Sequence, residues 1–502
     1  VSDIPTRELY GFLFPSLELC CEEQLYVRFL GSTATSATEN PYSSCPEASS
    51  ACSTSSRYSF EEHCVHVSGN CTADFLTCFN AFSTGKWLRH TNVRKVCPYL
   101  DIKGDAEISL LAQEGKESFL LGTCVVSSQE RGICVLPAID LNDDWIKTNC
   151  LLGIRVTPLT FTVMHACDTP VSPVPEVTVY GGGWLTDAPE TRDVHLGIAI
   201  TTFRREKEVK AAVSRLTRDI AAHPLYRDRI DVTVVDNGNT LKAEDLPGAL
   251  LIPNRNLGGT GGFTRGLIHY QETGRHTHCL FMDDDASCEA GSVFRSMSFQ
   301  RHATDPMLAL SGAMLFDNIK FMQWENGAWF DGGCHSVNRD FDLRDPAKLW
   351  ENEQEGCVPA GKRIYGAWWF FFFPLSGVKN YSLPFFVRGD DIDFSYANDF
   401  HVASLNGVSC WQQDFKTKES PLTAYLFLRS HMVHHMTLPQ LKCSFGILWK
   451  ILWGHFRRYN ASYFYGTAAA IVFRMCLLFF IFRSLFYSSS SSMPACTQAA
   501  KI

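Results

Sequence analysis

After His195, apolar runs of strand length alternate with segments of helical spacing, which predicts an α/β domain on a mostly parallel sheet. Several of those runs end in acidic or amide residues. That places polar side chains beyond the carboxyl ends of the strands, where ligands bind in such sheets. Before His195 the pattern is different: short β-branched and aromatic runs are split by polar turns, which predicts an all-β sandwich.

Taken in order, residues 1–165 form the sandwich, with runs at 118–127, 132–136 and 154–164, and a Ser- and Thr-rich loop at 32–59. Residues 166–192 read as a linker, carrying Val171-Ser172-Pro173-Val174-Pro175 and Gly181-Gly182-Gly183. The α/β domain spans 193–437. Its strands are predicted at 195–203, 230–235, 249–253 and 278–282, and its first helices at 206–222 and 262–272. Residues 438–487 read as helical, and 488–502 as a disordered low-complexity tail.

The net charge of -8 excludes a typical nucleic-acid binder, which needs a basic surface to neutralise phosphates. Twelve of the 20 cysteines lie between Cys20 and Cys167, but none forms a C-x-x-C pair, so a zinc ribbon or thioredoxin-type motif is not supported. Free thiols in a reducing compartment are the favoured reading, with a disulfide-rich secreted domain as the alternative. The start of the chain lacks the layout of a signal peptide. Residues 466–487 are apolar, but Arg474 and Arg483 interrupt them. A central Arg would cost a spanning helix about 2.5 kcal/mol or more. With Trp453, Phe456, Arg457, Arg458 and Tyr459 just before, the segment reads as a helix lying on a membrane surface, or equally as a buried helix or a homo-oligomer contact.

Three motifs carry chemistry. Asp283-Asp284-Asp285 directly follows an apolar strand. Carboxylates at a strand end can bind Mg2+ or Mn2+ with positions left for diphosphate oxygens, although a solvated acidic turn has the same sequence. Asn256-Leu257-Gly258-Gly259-Thr260-Gly261-Gly262 sits between a strand and a helix, where glycines admit a ligand to the backbone and the helix N-terminus favours anions; a tight turn is the plain alternative. Asp390-Asp391 opens a predicted helix. One of the pair could act as general base, kept ionised by the positive end of the helix dipole, or Asp390 could simply cap the helix. Trp368 and Trp369 begin an aromatic run to Phe373 that reads as a buried strand, with a sugar-facing role open to either Trp.

Together these motifs resemble the family 2 glycosyltransferases of the GT-A fold, and among them the bacterial UDP-galactofuranosyltransferases of the mycobacterial arabinogalactan type. The residues that carry the resemblance are Gly182-Gly183-Trp184, Asp187-Ala188-Pro189, Ile198 to Arg205, the NLGGTGGF segment from Asn256, FMDDD from Phe281, Gly366-Ala367-Trp368-Trp369, FVRGDDID from Phe386, and in the first unit Phe79-Asn80-Ala81-Phe82 with Lys86-Trp87. They span roughly residues 70–440. The resemblance implies inverting transfer of galactofuranose from UDP-galactofuranose to a lipid-linked or other glycan, at the cytoplasmic face of a membrane. It implies that Arg205, Asp236, Asn237, Asn256 and Asp284 contact the donor, and that Asp283 and Asp285 hold Mn2+ or Mg2+. Asp391 would be the base with Asp390 beside it, and Trp368 and Trp369 would line the acceptor site.

The sequence departs from the family pattern at two positions. Gln412, after Trp411, stands where the family has the His that completes its metal site, and Phe427 stands where it has a second His. A neutral amide oxygen can still ligate a hard cation. His431, His434 and His435 lie on one helical face at i, i+3 and i+4, and read as a surface cluster rather than as replacements.

Overall fold

The computed structural model describes residues 7–31, 56–142, 150–159, 175–354, 358–414, 420–473 and 476. The first unit is β-rich, and its described strands join into one hydrogen-bonded sheet of eleven. Its spine is an antiparallel hairpin of Lys95–Glu114 and Glu117–Val135, so the runs predicted at 118–127 and 132–136 are one strand. Lys95–Glu114 serves two neighbours, pairing with Glu176–Thr186 near its start and with Leu151–Pro158 near its end. Leu100, Ile102, Ala106, Ile108 and Leu110 are all buried, the alternation that a strand facing a core requires. Residues 160–164 of the predicted third run, residues 32–55 of the predicted loop and the tail at 488–502 lie outside the described residues.

Residues 166–174 of the stretch expected to be a linker lie outside the described residues, and the part from residue 175 is corrected by the structure. Glu176–Thr186 is an inner strand of the sheet, with Val177, Val179 and Trp184 fully buried. Its glycines serve contact rather than flexibility: a Cβ on Gly182 would lie 2.8 Å from the Phe12 ring and 2.8 Å from the Tyr99 carbonyl.

The α/β unit is built on seven described strands. In spatial order they are Ala249–Pro253, Ile230–Asp236, Leu196–Thr202, His278–Asp283, Phe371–Pro374, Leu308–Ser311 and His401–Ala403. The first four are parallel, as expected, and Phe371–Pro374 runs antiparallel between its neighbours. Glu206–Ala222 is a helix because Val209, Ala212, Val213, Leu216 and Ile220 recur at helical spacing and bury one face, with Glu206 and Glu208 favourably placed in its first turn. The next helix, Gly258–Thr273, begins earlier than predicted and takes in most of the glycine segment. A Cβ on Gly262 would stand 2.2 Å from Thr201, so the glycine lets this helix lie directly on the Leu196–Thr202 strand.

A five-stranded sheet pairs Ser409–Gln412 with Ser287–Cys288 and Ala313–Phe316, which brings Gln412 to the acidic strand end. Pro421–Thr437 is capped by the Ser420 hydroxyl and packs on Phe445–Ala461 through Leu428, Met432, Leu448 and Leu452. Among the described residues no helix is long and apolar enough to cross a membrane. Residues 474, 475 and 477–487 of the apolar segment lie outside them.

Candidate functional site

Parallel register aligns Thr202 with Asp236 and Thr201 with Asp283. The order of the parallel strands reverses between Leu196–Thr202 and His278–Asp283, the position where open α/β sheets bind ligands. A cleft of about 490 Å³ opens there, lined by Arg205, Asp283, Asp284, Asp285, Trp368, Trp369, Asp390, Asp391 and Gln412. A separate cavity of about 320 Å³, bordered by Lys86, His90, Arg363 and His401, contains none of the candidates.

On one side of the cleft three carboxylates are held by cationic and amide groups. The Gln412 amide donates to Asp285 at 2.6 Å and to Asp283 at 3.1 Å, which joins the two carboxylates. The Arg205 guanidinium lies 2.6 Å from Asp285 and 3.2 Å from Asp284. Burial raises the carboxyl of Asp284 above the usual range, opposed by the Thr202 hydroxyl, which donates to it at 2.8 Å, and by Arg205. The donor set fits a hard divalent cation, with two carboxylates bridged by an amide. Gln412 Oε1 is buried without a hydrogen-bond partner, and amide oxygen and nitrogen exchange places by a flip, so an oxygen is available to face the carboxylates.

On the other side Asp390 and Asp391 begin the helix Asp390–Ala397. The cap is Gly389 and not Asp390. The preceding loop holds Phe386, Arg388 and Gly389 in the left-handed region, at φ 73, 70 and 85°. The glycine segment supports this loop: the Thr260 hydroxyl donates to Asp390 at 2.7 Å, and a Cβ on Gly258 (φ 73°) would meet the Phe386 carbonyl at 2.0 Å. Burial raises the carboxyls of both Asp390 and Asp391, and the charge of Asp390 raises Asp391 further. The expectation that the helix dipole keeps Asp391 ionised is therefore corrected, because desolvation and the like-charged neighbour outweigh a helix terminus.

No family model matches the chain. Over 399 residues, 72% of its length, it is 25% identical to the galactofuranosyltransferase GlfT2 of Mycolicibacterium smegmatis. Over 401 residues, 74% of its length, it is 23% identical to GlfT2 of Mycobacterium tuberculosis. Its curated relatives are galactofuranosyltransferases. The matches cover 56% and 59% of those two proteins, so the chain spans less than two thirds of their length. Among solved structures it is similar to a mannosyltransferase of Pyrobaculum calidifontis in complex with GDP-Man and Mn2+ (12% identity, 61% of this chain and 79% of that one, TM-score 0.33). It is also similar to GalNAc-T7 with UDP, GalNAc and Mn2+ (10% identity, 51% of this chain and 49% of that one, TM-score 0.31).

The remaining residues suggested by the galactofuranosyltransferase resemblance fall into two groups. Asp236 ends its strand, Asn237 follows it and Asn256 lies in the loop before the helix Gly258–Thr273, but none of the three lines the cleft. Asp236 accepts from the backbone of Gly238, Thr240 and Leu241, Asn237 donates to the Gly258 carbonyl, and Asn256 accepts from Gly258 N. These contacts shape the loops beside the cleft. Trp368 and Trp369 do line it, but as a turn: the strand begins only at Phe371, which corrects the expected start. The Trp369 indole donates to the Gly312 carbonyl at 3.0 Å, whereas Trp368 Nε1 is buried without a partner in the cleft wall.

The expected surface histidine cluster is also corrected. His431, His434 and His435 are buried, packed around Phe330 with Phe385 and Phe427. Burial lowers His431 and takes His434 down to about 3, so both are neutral aromatic packing groups. His431 reaches the cleft wall, but among the described residues no metal-ligand triad includes any of the three. Sequence reasoning missed Trp324, Glu325, Arg339 and Tyr365 in the cleft. Burial takes Glu325 up to about 7, with the Ser336 hydroxyl at 2.5 Å, and Arg339 lies 3.8 Å over the Trp324 ring. No motif marks these residues.

Proposed function

We propose that this chain is an inverting, metal-dependent glycosyltransferase of the GT-A fold. It moves galactofuranose from UDP-galactofuranose to a lipid-linked or other glycan in cell-envelope polysaccharide synthesis. The observation that carries the reading is that two carboxylate groups in unlike environments line one cleft at the switch point of the sheet. Relatives that are galactofuranosyltransferases supply the sugar.

Asp283, Asp285 and Gln412 would hold Mn2+ or Mg2+, which supplies positive charge against the departing diphosphate. Arg205 adds a guanidinium on the same side, with Asp284, Asp236, Asn237 and Asn256 shaping the donor pocket. Asp391 takes the proton of an acceptor hydroxyl as that oxygen bonds to the anomeric carbon. The bond from that carbon to the UDP oxygen breaks, and UDP leaves from the opposite face. Asp390 orients the pair through Thr260, and Trp368 and Trp369 present aromatic surface to the acceptor.

Phe445, Ile447, Trp449 and Trp453 are exposed on Phe445–Ala461, beside exposed Lys450, Arg457 and Arg458. That composition suits a surface resting on anionic lipid, consistent with an enzyme working peripherally at the cytoplasmic face of a membrane. Self-association through the same helices is the competing use. Gln412, in place of an imidazole, favours one second reading, a weakly active glycan-binding protein.

Mass spectrometry of products from a short lipid-linked acceptor, offered UDP-galactofuranose, UDP-galactose and a dTDP-sugar in parallel, decides among these. Extension with UDP-galactofuranose only is expected. Extension with another donor assigns a different sugar, and glycan binding without extension assigns the second reading.

A further inference from the structure

The first unit carries a separate cluster of ligating atoms far along the chain from the cleft residues. Cys64–Ser68 is a strand between Arg57–Ser59 and Glu176–Thr186. Cys64 and His66 sit two apart on it and so share one face, and Glu62 in the preceding turn reaches the same point. Cys64 Sγ lies 3.5 Å from Glu62 Oε2 and 3.4 Å from His66 Nε2, and the latter two atoms are 2.9 Å apart. A tetrahedral zinc ion with ordinary bond lengths to sulfur, nitrogen and oxygen sets its ligands about 3.4–3.6 Å apart. Two of the three edges already match. The third opens by rotation of Glu62, whose side chain is 61% exposed.

A second feature is independent of these distances. With Nε2 turned to Cys64 and Glu62, the other ring nitrogen of His66 faces outward from the cluster. His66 Nδ1 lies 3.4 Å from Glu176 Oε1 and 3.4 Å from the Thr178 hydroxyl, both on the neighbouring strand. A carboxylate on the far nitrogen is how metal-bound histidines are held in one tautomer, with the near nitrogen left as the ligand.

We propose that Glu62, Cys64 and His66 form a zinc site, with Glu176 orienting the imidazole and a solvent water in the fourth position. The thiol loses its proton to solvent when the metal binds, so the ligands are a thiolate, a neutral imidazole and a carboxylate. The mixed sulfur, nitrogen and oxygen set selects Zn2+ over the hard cations suited to the cleft. Bound metal would tie the turn at 60–63 to the sheet.

The test is titration of the chelator-treated full chain with Co2+, followed by thiolate-to-cobalt charge-transfer absorption and then by displacement with Zn2+. One equivalent of Co2+ should produce the band and Zn2+ should abolish it. Cys64→Ser should remove it. Glu62 and Glu176 are both mostly exposed, so Glu62→Gln and Glu176→Gln should fold normally. Glu176→Gln should weaken cobalt binding by about 10–100-fold. A band that persists in Cys64→Ser, or unchanged affinity in both glutamate variants, overturns the site. Because no sugar transfer is read, the outcome is separate from that of the catalytic reading.

Discussion

The two acidic segments of the cleft have similar sequences but different electrostatics. Asp283 and Asp285 share the Gln412 amide, and Arg205 bridges Asp284 and Asp285, so this side is already matched to positive charge. Burial raises Asp390 and Asp391 as it raises Asp284, but here the second is raised further by the charge of the first. Carboxylates grouped around a guanidinium and an amide suit a metal and a diphosphate. A carboxylate whose proton affinity is raised suits proton transfer near neutral pH. The difference comes from burial and neighbours, since the residue type is the same.

Four experiments can break or sharpen this contrast. The largest effect is expected on the metal side: chelation, or Asp285→Asn, should lower turnover by roughly a thousandfold, since the charge stabilisation at stake is several kcal/mol. Mn2+ should restore only the chelated wild-type protein, and turnover that survives both treatments removes the metal from the mechanism. Next, Asp391→Asn should cost roughly a hundredfold or more in kcat with KM for the donor little changed. Near-normal turnover would move the base to Asp390 or elsewhere.

The third effect is a displacement in pH. The base must be ionised to accept a proton, and its carboxyl is raised, so kcat/KM should climb with pH through a range above ordinary carboxylates. Asp390→Asn removes the neighbouring negative charge, eases ionisation of Asp391 and should move that limb to lower pH. A limb that stays in place would show that the two carboxylates do not interact. The smallest effect is expected from Gln412→His, which should tighten Mn2+ binding by roughly tenfold by adding an imidazole ligand. Unchanged affinity in a calorimetric titration would show that position 412 is not a ligand.

The parallel strands and their acidic ends were legible because buried parallel strands are continuous apolar runs, and the chain must turn polar where it leaves the sheet. The inner strand Glu176–Thr186 was not. Its glycines, and Pro173 and Pro175 just before it, read as a linker, while the reason for Gly182 is the Phe12 ring, far away in sequence. The shared face of His431, His434 and His435 was visible in their spacing, but its burial was not, because Phe330 and Phe385 come from other segments. Glu325 and Arg339 enter the cleft on a sheet and loop that no local pattern announces. Spacing reveals faces and strand ends, and what packs against them is set by tertiary structure.

The measurement that bears most directly on this division of labour is UDP affinity with and without Mn2+ for Asp285→Asn and Asp391→Asn side by side. The account predicts that Asp285→Asn loses the metal-dependent part of UDP binding while Asp391→Asn keeps it. Equal loss in both variants, or loss in Asp391→Asn alone, would contradict it.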